Sequence, residues 1–302
     1  MTLHRAGAIA ACCIVGCAVV WGQNAPFRSR VDIVQVTVSV TDASGRLITG
    51  LTQADFQVFE DGLEQAITQF TDKRVPVSVG MLLDASDSMR GQPVVDARDA
   101  FDRFVGDLLL TEDEVFVATF NHLPKLMNKW TMPPASLRGS LAELKPSGGT
   151  AIYDALADTS RLFEQRVNLR AAMIVVSDGA DTASDRSLLQ TIEVIRRNDA
   201  FVYAVAIDAP DGRESTRVNP DALRDITSLT GGYTEVVKSA ADLGPATARI
   251  ADELNKQYTL GYSSPKPPDG NWRTLRVRVR SGGYFVRARR GYFALPAGQR
   301  VR

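Results

Sequence analysis

Cysteine and histidine are scarce in this chain of 302 residues. The three cysteines all lie within the first 17 positions, and His122 is the one histidine beyond position 4. Zinc sites built from Cys and His need several such ligands close together, so the sequence after position 17 excludes them. A Ser-His-Asp mechanism is excluded as well, unless it uses His122.

The chain also lacks an excess of charge and the common nucleotide-binding motifs. Lys plus Arg and Asp plus Glu both total 35, so no overall field attracts nucleic acid. Neither a Gly-x-x-x-x-Gly-Lys loop nor a dinucleotide fingerprint is present. We therefore expect no nucleic-acid partner and no catalytic residues. A metal-dependent hydrolase remains an alternative, although such enzymes need more clustered carboxylates and histidines.

The N-terminus has the pattern of a targeting segment. His4 and Arg5 precede an apolar run over residues 6–20, which is short for a membrane span. Cleavage after Gly22 predicts a signal peptide over 1–22 and a secreted or periplasmic protein. Residues 14–17 also resemble a lipobox, which would give a lipoprotein anchored at Cys17, and an uncleaved anchor is the third interpretation. We expect membrane attachment only through a lipid at Cys17.

Strand-like alternation marks both ends of the remaining chain. The N-terminal unit, 30–74, begins with valines at every second position from Val34 to Val40. In the C-terminal unit, 258–295, Leu275, Val277 and Val279 alternate with arginines. Each unit is too short to bury a core alone, so we predict that the two pair into one small β-sandwich.

Between these units the pattern changes to apolar strands that alternate with helical segments, among them 137–144 and 151–165. Such alternation predicts a mostly parallel sheet with helices on both faces. We therefore predict an α/β domain at 75–257, with a doubly wound, Rossmann-like sheet. It would be inserted in the sandwich formed by the terminal strands.

Oxygen-bearing side chains follow two of the predicted strands and precede one predicted helix. In open α/β sheets, ligands bind beyond the carboxyl ends of the strands. Hydroxyl and carboxylate oxygens suit a hard divalent cation such as Mg²⁺, with Mn²⁺ or Ca²⁺ as alternatives. The predicted metal ligands are Asp84, Ser86, Ser88, Thr150 and Asp178.

These residues also have structural interpretations. Ser86 and Ser88 could cap the helix that follows them. Thr150 could be an N-cap, with Asp154 completing a capping box, which is compatible with metal binding. Asp178 precedes a glycine and could belong to an ordinary turn.

The pattern Asp-x-Ser-x-Ser, then Thr, then Asp resembles the metal-ion-dependent adhesion site (MIDAS) of von Willebrand factor type A domains. The resemblance implies that these residues hold the ion directly or through water. It also implies a coordination position left open for a Glu or Asp carboxylate from a partner protein. Met89, at the end of the first motif, is expected to form an apolar rim.

The resemblance extends beyond this motif. Residues 50–56, 59–62 and 290–292 are similar to the bacterial secreted proteins grouped as acidobacterial von Willebrand type A-related. Together the two resemblances imply a secreted or envelope-associated adhesion or scaffold module that engages an acidic group through its metal. The alternative is a structural envelope component in which the metal stabilises the fold.

The C-terminal unit is rich in arginine, with seven arginines between positions 273 and 290. Their alternation puts several on one exposed face. Charged side chains commonly protect the edge strands of a sheet against pairing with other chains. Binding to an acidic surface is the second interpretation.

Overall fold

A computed structural model describes residues 33–208 and 218–296. The predicted signal peptide and the lipobox with Cys17 lie outside these residues. Within the described ranges, no helix has both the length and the apolar character needed to cross a bilayer.

The described residues form strands and helices in the following order. The strands are β1 (Ile33–Thr41), β2 (Phe56–Glu60), β3 (Leu63–Gln65), β4 (Ile67–Thr71), β5 (Val77–Asp84), β6 (Glu114–Phe120), β7 (Pro124–Thr131), β8 (Arg170–Ser177), β9 (Phe201–Ile207), β10 (Thr234–Val237), β11 (Tyr258–Ser263), β12 (Trp272–Val279), β13 (Phe285–Arg287) and β14 (Gly291–Phe293). The α-helices are α1 (Gln92–Arg103), α2 (Ile152–Ser160), α3 (Leu188–Ile195), α4 (Pro220–Thr230) and α5 (Leu243–Lys256).

A six-stranded sheet with the order β10-β9-β8-β5-β6-β7 forms the centre of the fold. Its strands are parallel except for β7, which runs antiparallel to β6 at the edge. Every residue of β5, β6, β8 and β9 is buried, as expected for strands covered on both faces. Gly80 in β5 allows close packing, because a Cβ there would lie 2.4 Å from the Phe116 ring. The predicted α/β fold with a mostly parallel sheet is confirmed.

Two four-stranded antiparallel sheets flank this domain, with the orders β13-β1-β11-β4 and β14-β12-β2-β3. Each sheet combines strands from both ends of the chain: β1 pairs with β11, and β2 pairs with β12. The alternating residues predicted to face inward meet in one core. It includes Val34, Val36, Val38, Val40, Phe56, Val58, Tyr258, Leu260, Tyr262, Leu275 and Val277.

The structure differs from the predicted elements in two places. Residues 137–144 do not form an α-helix; a 3-10 turn at Pro134–Leu137 is followed by further turns. Gly139 has a φ of 74°, outside the helical region, and interrupts the pattern, although Leu137 and Leu141 are buried as a helical face would be. Helix α2 ends at Ser160 and continues as a 3-10 segment to residue 165.

Candidate metal centre

The candidate site lies where two neighbouring parallel strands end. Leu83 of β5 is paired with Val176 of β8, so Asp84 and Ser177 end their strands side by side. The sheet continues from β5 to β6 on one side and to β8 on the other, which makes this the point where the strand order reverses. Crevices at such points are the usual ligand sites of α/β sheets.

Asp84 is the buried base of the site, with 1% of its surface exposed. Its Oδ1 accepts a hydrogen bond of 2.8 Å from the backbone N–H of Ser86. Its Oδ2 accepts one of 2.5 Å from the hydroxyl of Ser177. Both carboxylate oxygens are therefore held in place from within the protein.

Two serines connect this loop to the end of β8. The hydroxyls of Ser86 and Ser88 lie 3.0 Å apart, and the Ser88 hydroxyl donates a hydrogen bond of 2.7 Å to Oδ1 of Asp178. Ser86 is buried, Asp178 is half-buried and Ser88 is exposed. The oxygens of the three side chains thus form a continuous row that runs from the interior to the surface.

Thr150 approaches from a third loop. The backbone N–H of Ser147 donates to the carbonyl of Ala85 at 2.7 Å, and that of Asp87 donates to the carbonyl of Gly148 at 2.9 Å. Gly148 has a φ of 79°, which lets the loop turn between these bonds. Thr150 itself is buried.

The Thr150 hydroxyl lies beside the end of β8. A Cβ added to Gly179 would lie only 3.0 Å from its Oγ1. The glycine after Asp178 therefore leaves the space that this side chain occupies. The structure thus brings all five predicted ligands to one edge of the sheet, four of them in a row of hydrogen bonds and Thr150 against Gly179.

The two carboxyl groups are held in surroundings that oppose their negative charge. Burial raises the pKa of Asp84 to about 6, against the lowering effect of its hydrogen bonds, and the nearby charge of Asp178 adds to the rise. Burial also raises the pKa of Asp178. Within the described residues, no cationic side chain forms a salt bridge with either group. A bound cation would offset both effects.

The donor set fits a hard divalent cation. It consists of hydroxyl and carboxylate oxygens, the ligands that Mg²⁺ and Ca²⁺ prefer. The described part of the chain contains no cluster of three or more His, Cys, Asp and Glu side chains able to hold a metal. A cation at this edge would therefore depend on the serine and threonine hydroxyls as well as on two carboxylates.

One expectation and one alternative interpretation from the sequence are wrong. Met89 does not form a rim: it has no exposed surface and packs in the core beneath the loop. Thr150 is not the N-cap of α2, since Ala151 holds that position without a side-chain cap. Asp154 instead accepts hydrogen bonds from the backbone of Asp185 and from Arg186.

Ser177 is the residue of this site that the sequence analysis did not single out. Its hydroxyl donates a hydrogen bond of 2.5 Å to the carboxylate of Asp84. The sequence feature that could have identified Ser177 is a hydroxyl residue at the end of an otherwise apolar strand, immediately before Asp178. A polar residue in a fully buried strand needs a partner, and here the partner is a candidate ligand.

Part of the central domain matches the model of a known protein family. Residues 79–180 match the family model of the von Willebrand factor type A domain. Among curated proteins, the uncharacterised protein sll0103 of a Synechocystis strain is 33% identical over 87 residues. That match covers 28% of this chain but only about a fifth, 20%, of the relative's length.

Solved structures share the fold at low sequence identity. A von Willebrand factor type A protein from Catenulispora acidiphila has a TM-score of 0.54 and 14% identity, over 79% of this chain and 73% of that one. Proximal thread matrix protein 1 from the mussel byssus, with a zinc-occupied MIDAS motif, also has a TM-score of 0.54. Its identity is 18%, over 66% of this chain and 50% of that one.

Proposed function

We propose that this chain, whose residues 79–180 match the family model of the von Willebrand factor type A domain, is a non-catalytic, metal-dependent binding module. The partner is a protein that presents a Glu or Asp side chain. The metal is a hard divalent cation, with Mg²⁺ as the first choice and Mn²⁺ or Ca²⁺ as alternatives. Its ligands are Asp84, Ser86, Ser88, Thr150 and Asp178.

The row of oxygens from Ser86 through Ser88 to Asp178 is the observation that carries this proposal. Ser88 and Asp178 are 90 positions apart in the chain, yet their side chains are in direct hydrogen-bond contact at a surface. Two carboxyl groups with raised pKa values, neither paired with a cationic side chain among the described residues, add to this support. The mussel protein with a zinc-occupied MIDAS motif indicates that this fold can accept a divalent ion at such a motif.

The proposed ligands lie at different depths in the site. Asp84 and Ser86 are buried and form its base, while Ser88 and Asp178 lie nearer to solvent and face the partner. When bound, a divalent cation supplies an electrophilic centre that an incoming carboxylate neutralises. Because the protein itself contributes only two carboxylates, the site retains attraction for a further anionic group.

Calorimetric titration with Mg²⁺, Mn²⁺ and Ca²⁺ tests the metal site. We expect saturable binding that Asp178→Asn and Ser88→Ala each weaken by about tenfold or more, since each removes a ligand oxygen or its charge. Asp87→Asn is the matched control, because Asp87 lies between the two serines but is exposed and pairs with Arg90 at 2.7 Å. Equal metal affinity in Asp178→Asn and the wild type would contradict the proposal.

A second experiment tests the partner. Immobilised protein is incubated with an envelope fraction, with and without EDTA. The capture of a partner should be lost with EDTA and with Asp178→Asn, and retained with Asp87→Asn. Metal binding and thermal stabilisation without any chelator-sensitive partner would favour the structural envelope role instead.

Export belongs to the same proposal, because the apolar run over 6–20 has the composition of a secretory signal. Mass spectrometry of the mature protein distinguishes the two routes. A chain that starts at Gln23 supports cleavage by signal peptidase. A chain that starts at a lipidated Cys17 supports the lipoprotein alternative, and an intact N-terminus in the cytoplasm contradicts both.

A further inference from the structure

A cavity of about 420 Å³ lies at the opposite end of the central sheet from the candidate metal centre. Arg166 and Leu169 in its wall precede β8, and residues 196–199 precede β9, so the wall lies at the amino ends of these strands. Its other wall comes from β1, β4 and the segment around β14 in the sandwich. Among the described residues, its charged lining consists of four arginines and one aspartate: Arg166, Arg196, Arg197, Arg289 and Asp199.

The one carboxylate among the described lining residues, that of Asp199, already has a partner. Asp199 accepts two hydrogen bonds, of 2.8 and 2.9 Å, from the guanidinium of Arg166. Arg166 also donates to the carbonyls of Phe163 and Asn168, so its role is structural. No other carboxylate in the described part of the cavity wall is therefore available to neutralise the remaining three arginines.

Each of these three arginines is supported by its own aromatic ring from β12 or β14. The guanidinium carbon of Arg196 lies 4.1 Å from the centroid of the Trp272 ring. Those of Arg197 and Arg289 lie 5.4 Å from the rings of Phe293 and Tyr292. Stacking fixes the plane of a guanidinium and leaves its N–H edge free for planar recognition of an oxyanion.

Several of these N–H groups lack an acceptor among the described residues. The Nε atoms of Arg196 and Arg289 are buried and have no hydrogen-bond partner. Arg289 does donate to the carbonyl of Gln35 at 2.7 Å, and Arg196 donates to Glu193 at 3.1 Å. The side chain of Arg197 forms no hydrogen bond or ion pair with the described residues. Buried donors usually have a hydrogen-bond partner, and an oxyanion in this cavity would supply one.

We propose that this cavity, hereafter the arginine cavity, binds a ligand that carries at least two phosphate groups. Arg197 and Arg289 have no carboxylate partner among the described residues, and Arg196 has only the exposed Glu193. These guanidinium groups call for more than one negative charge for balance, and phosphate oxygens match their bidentate geometry. Burial lowers the pKa of Arg289, a cost that a bound anion would offset. The arginine cavity is independent of the metal centre, since the two sites lie at opposite ends of the strands.

Calorimetric titration of the full chain with tripolyphosphate tests this proposal, with EDTA present so that the metal site makes no contribution. We expect saturable binding that Arg197→Gln and Arg289→Gln each weaken by about tenfold, the effect of losing one charge-assisted hydrogen bond. Arg197 is exposed and has no polar partner among the described residues, so its replacement should not affect folding. Circular dichroism melting identifies any folding defect in Arg289→Gln.

Arg278→Gln is the matched control. Arg278 also stacks on an aromatic ring of the sandwich, Phe59 at 5.4 Å, but does not line the arginine cavity. This variant should bind tripolyphosphate like the wild type. The proposal is overturned if the wild type shows no saturable binding, or if Arg197→Gln binds as tightly as the wild type.

A parallel arm identifies the source of the phosphate. The chain is sedimented with vesicles of phosphatidylcholine, with and without cardiolipin, whose headgroup carries two phosphates. Sedimentation that requires cardiolipin and that tripolyphosphate reverses would support a lipid headgroup. Binding of tripolyphosphate without binding to vesicles would support a soluble phosphate compound.

Discussion

The hydroxyl of Ser177 at the end of β8 donates a hydrogen bond of 2.5 Å to the carboxylate of Asp84 at the end of β5. Both residues are buried, and Asp84 is a proposed metal ligand. Residues that orient a ligand from behind commonly affect metal affinity by about 10- to 100-fold. Ser177 is therefore placed to position Asp84 without contacting the metal.

Replacement of Ser177 by alanine should weaken Mg²⁺ binding by about tenfold. The variant leaves Oδ2 of Asp84 buried without its donor. Because the hydrogen bond from Ser177 lowers the pKa of Asp84, its loss should raise that pKa further above about 6. Calorimetric titration at two pH values measures both effects, since a higher pKa makes metal binding more sensitive to acid.

Ser78→Ala provides the control for this experiment. Ser78 is also buried in β5 and donates a hydrogen bond of 2.6 Å to a carboxylate, that of Glu114, but it lies at the amino end of the strand. Both variants should lower the free energy of unfolding by about 1–3 kcal/mol. Ser177→Ala leaves Oδ2 of Asp84 without its donor, and Ser78→Ala removes a donor to Glu114 and the acceptor of the backbone N–H of Asn168. A positioning role for Ser177 is refuted if the two variants have the same metal affinity.

Replacement of Gly179 by alanine should also weaken metal binding, by about tenfold or less. The new Cβ would lie 3.0 Å from Oγ1 of Thr150, so the threonine has to move by a few tenths of an ångström. Gly282→Ala is the control, since a Cβ there meets no atom within 4 Å. Unchanged metal affinity in Gly179→Ala would indicate that the position of Thr150 is not critical for binding.

The sequence could predict the site because its residues end strands whose apolar character was unambiguous. All of β5 and β8 is buried, so Asp84 and Asp178 had to emerge at the same edge of the sheet. The sandwich was predictable from the alternation that begins at Val34 and recurs around Val277. That the five side chains bind a metal stays a prediction.

What the sequence could not predict depends on tertiary packing. Met89 looked like a rim residue beside the site, but the turn that contains it directs the side chain into the core. The alternation of apolar residues with Arg276 and Arg278 predicted only that these arginine side chains are exposed. The arginine cavity also needs Arg196 and Arg197, at the end of α3, which the fold brings against Trp272 and Phe293 from a distant part of the chain.

Replacement of Glu253 by alanine should destabilise the protein strongly. This buried carboxylate of α5 accepts hydrogen bonds from Ser39 at 2.8 Å, from Tyr203 at 3.0 Å and from Arg287. It therefore links the α/β domain to two strands of the sandwich. Its removal leaves these donors unpaired and should lower the free energy of unfolding by about 3 kcal/mol, as measured by urea denaturation.

Asp252→Ala is the control on the same helix. Asp252 pairs with Lys256 at 2.7 Å, but its side chain is 52% exposed to solvent. Exposed pairs of this kind contribute about 0.5 kcal/mol or less. Equal destabilisation by the two substitutions would mean that the contacts of Glu253 do not join the two parts of the fold.

Acid should remove the contribution of Asp61 to stability. This residue, at the turn between β2 and β3, contacts Lys266 at 2.5 Å and accepts hydrogen bonds of 2.8 and 3.0 Å from the backbone and hydroxyl of Thr274. The hydrogen bond from Lys266 is the largest cause that lowers the pKa of Asp61 to about 2. In the unfolded chain an Asp has a pKa of about 4.

Because the folded pKa is the lower of the two, the charged carboxylate stabilises the fold above about pH 4, and this contribution is lost as the pH falls towards about 2. Asp61→Asn does not titrate, and asparagine tolerates the positive φ of 47° at this position. Urea denaturation at a series of pH values should therefore give a difference in unfolding free energy between the wild type and Asp61→Asn that shrinks over that interval. A difference that stays constant from about pH 6 to about pH 2 would show that the contacts of Asp61 do not depend on its charge.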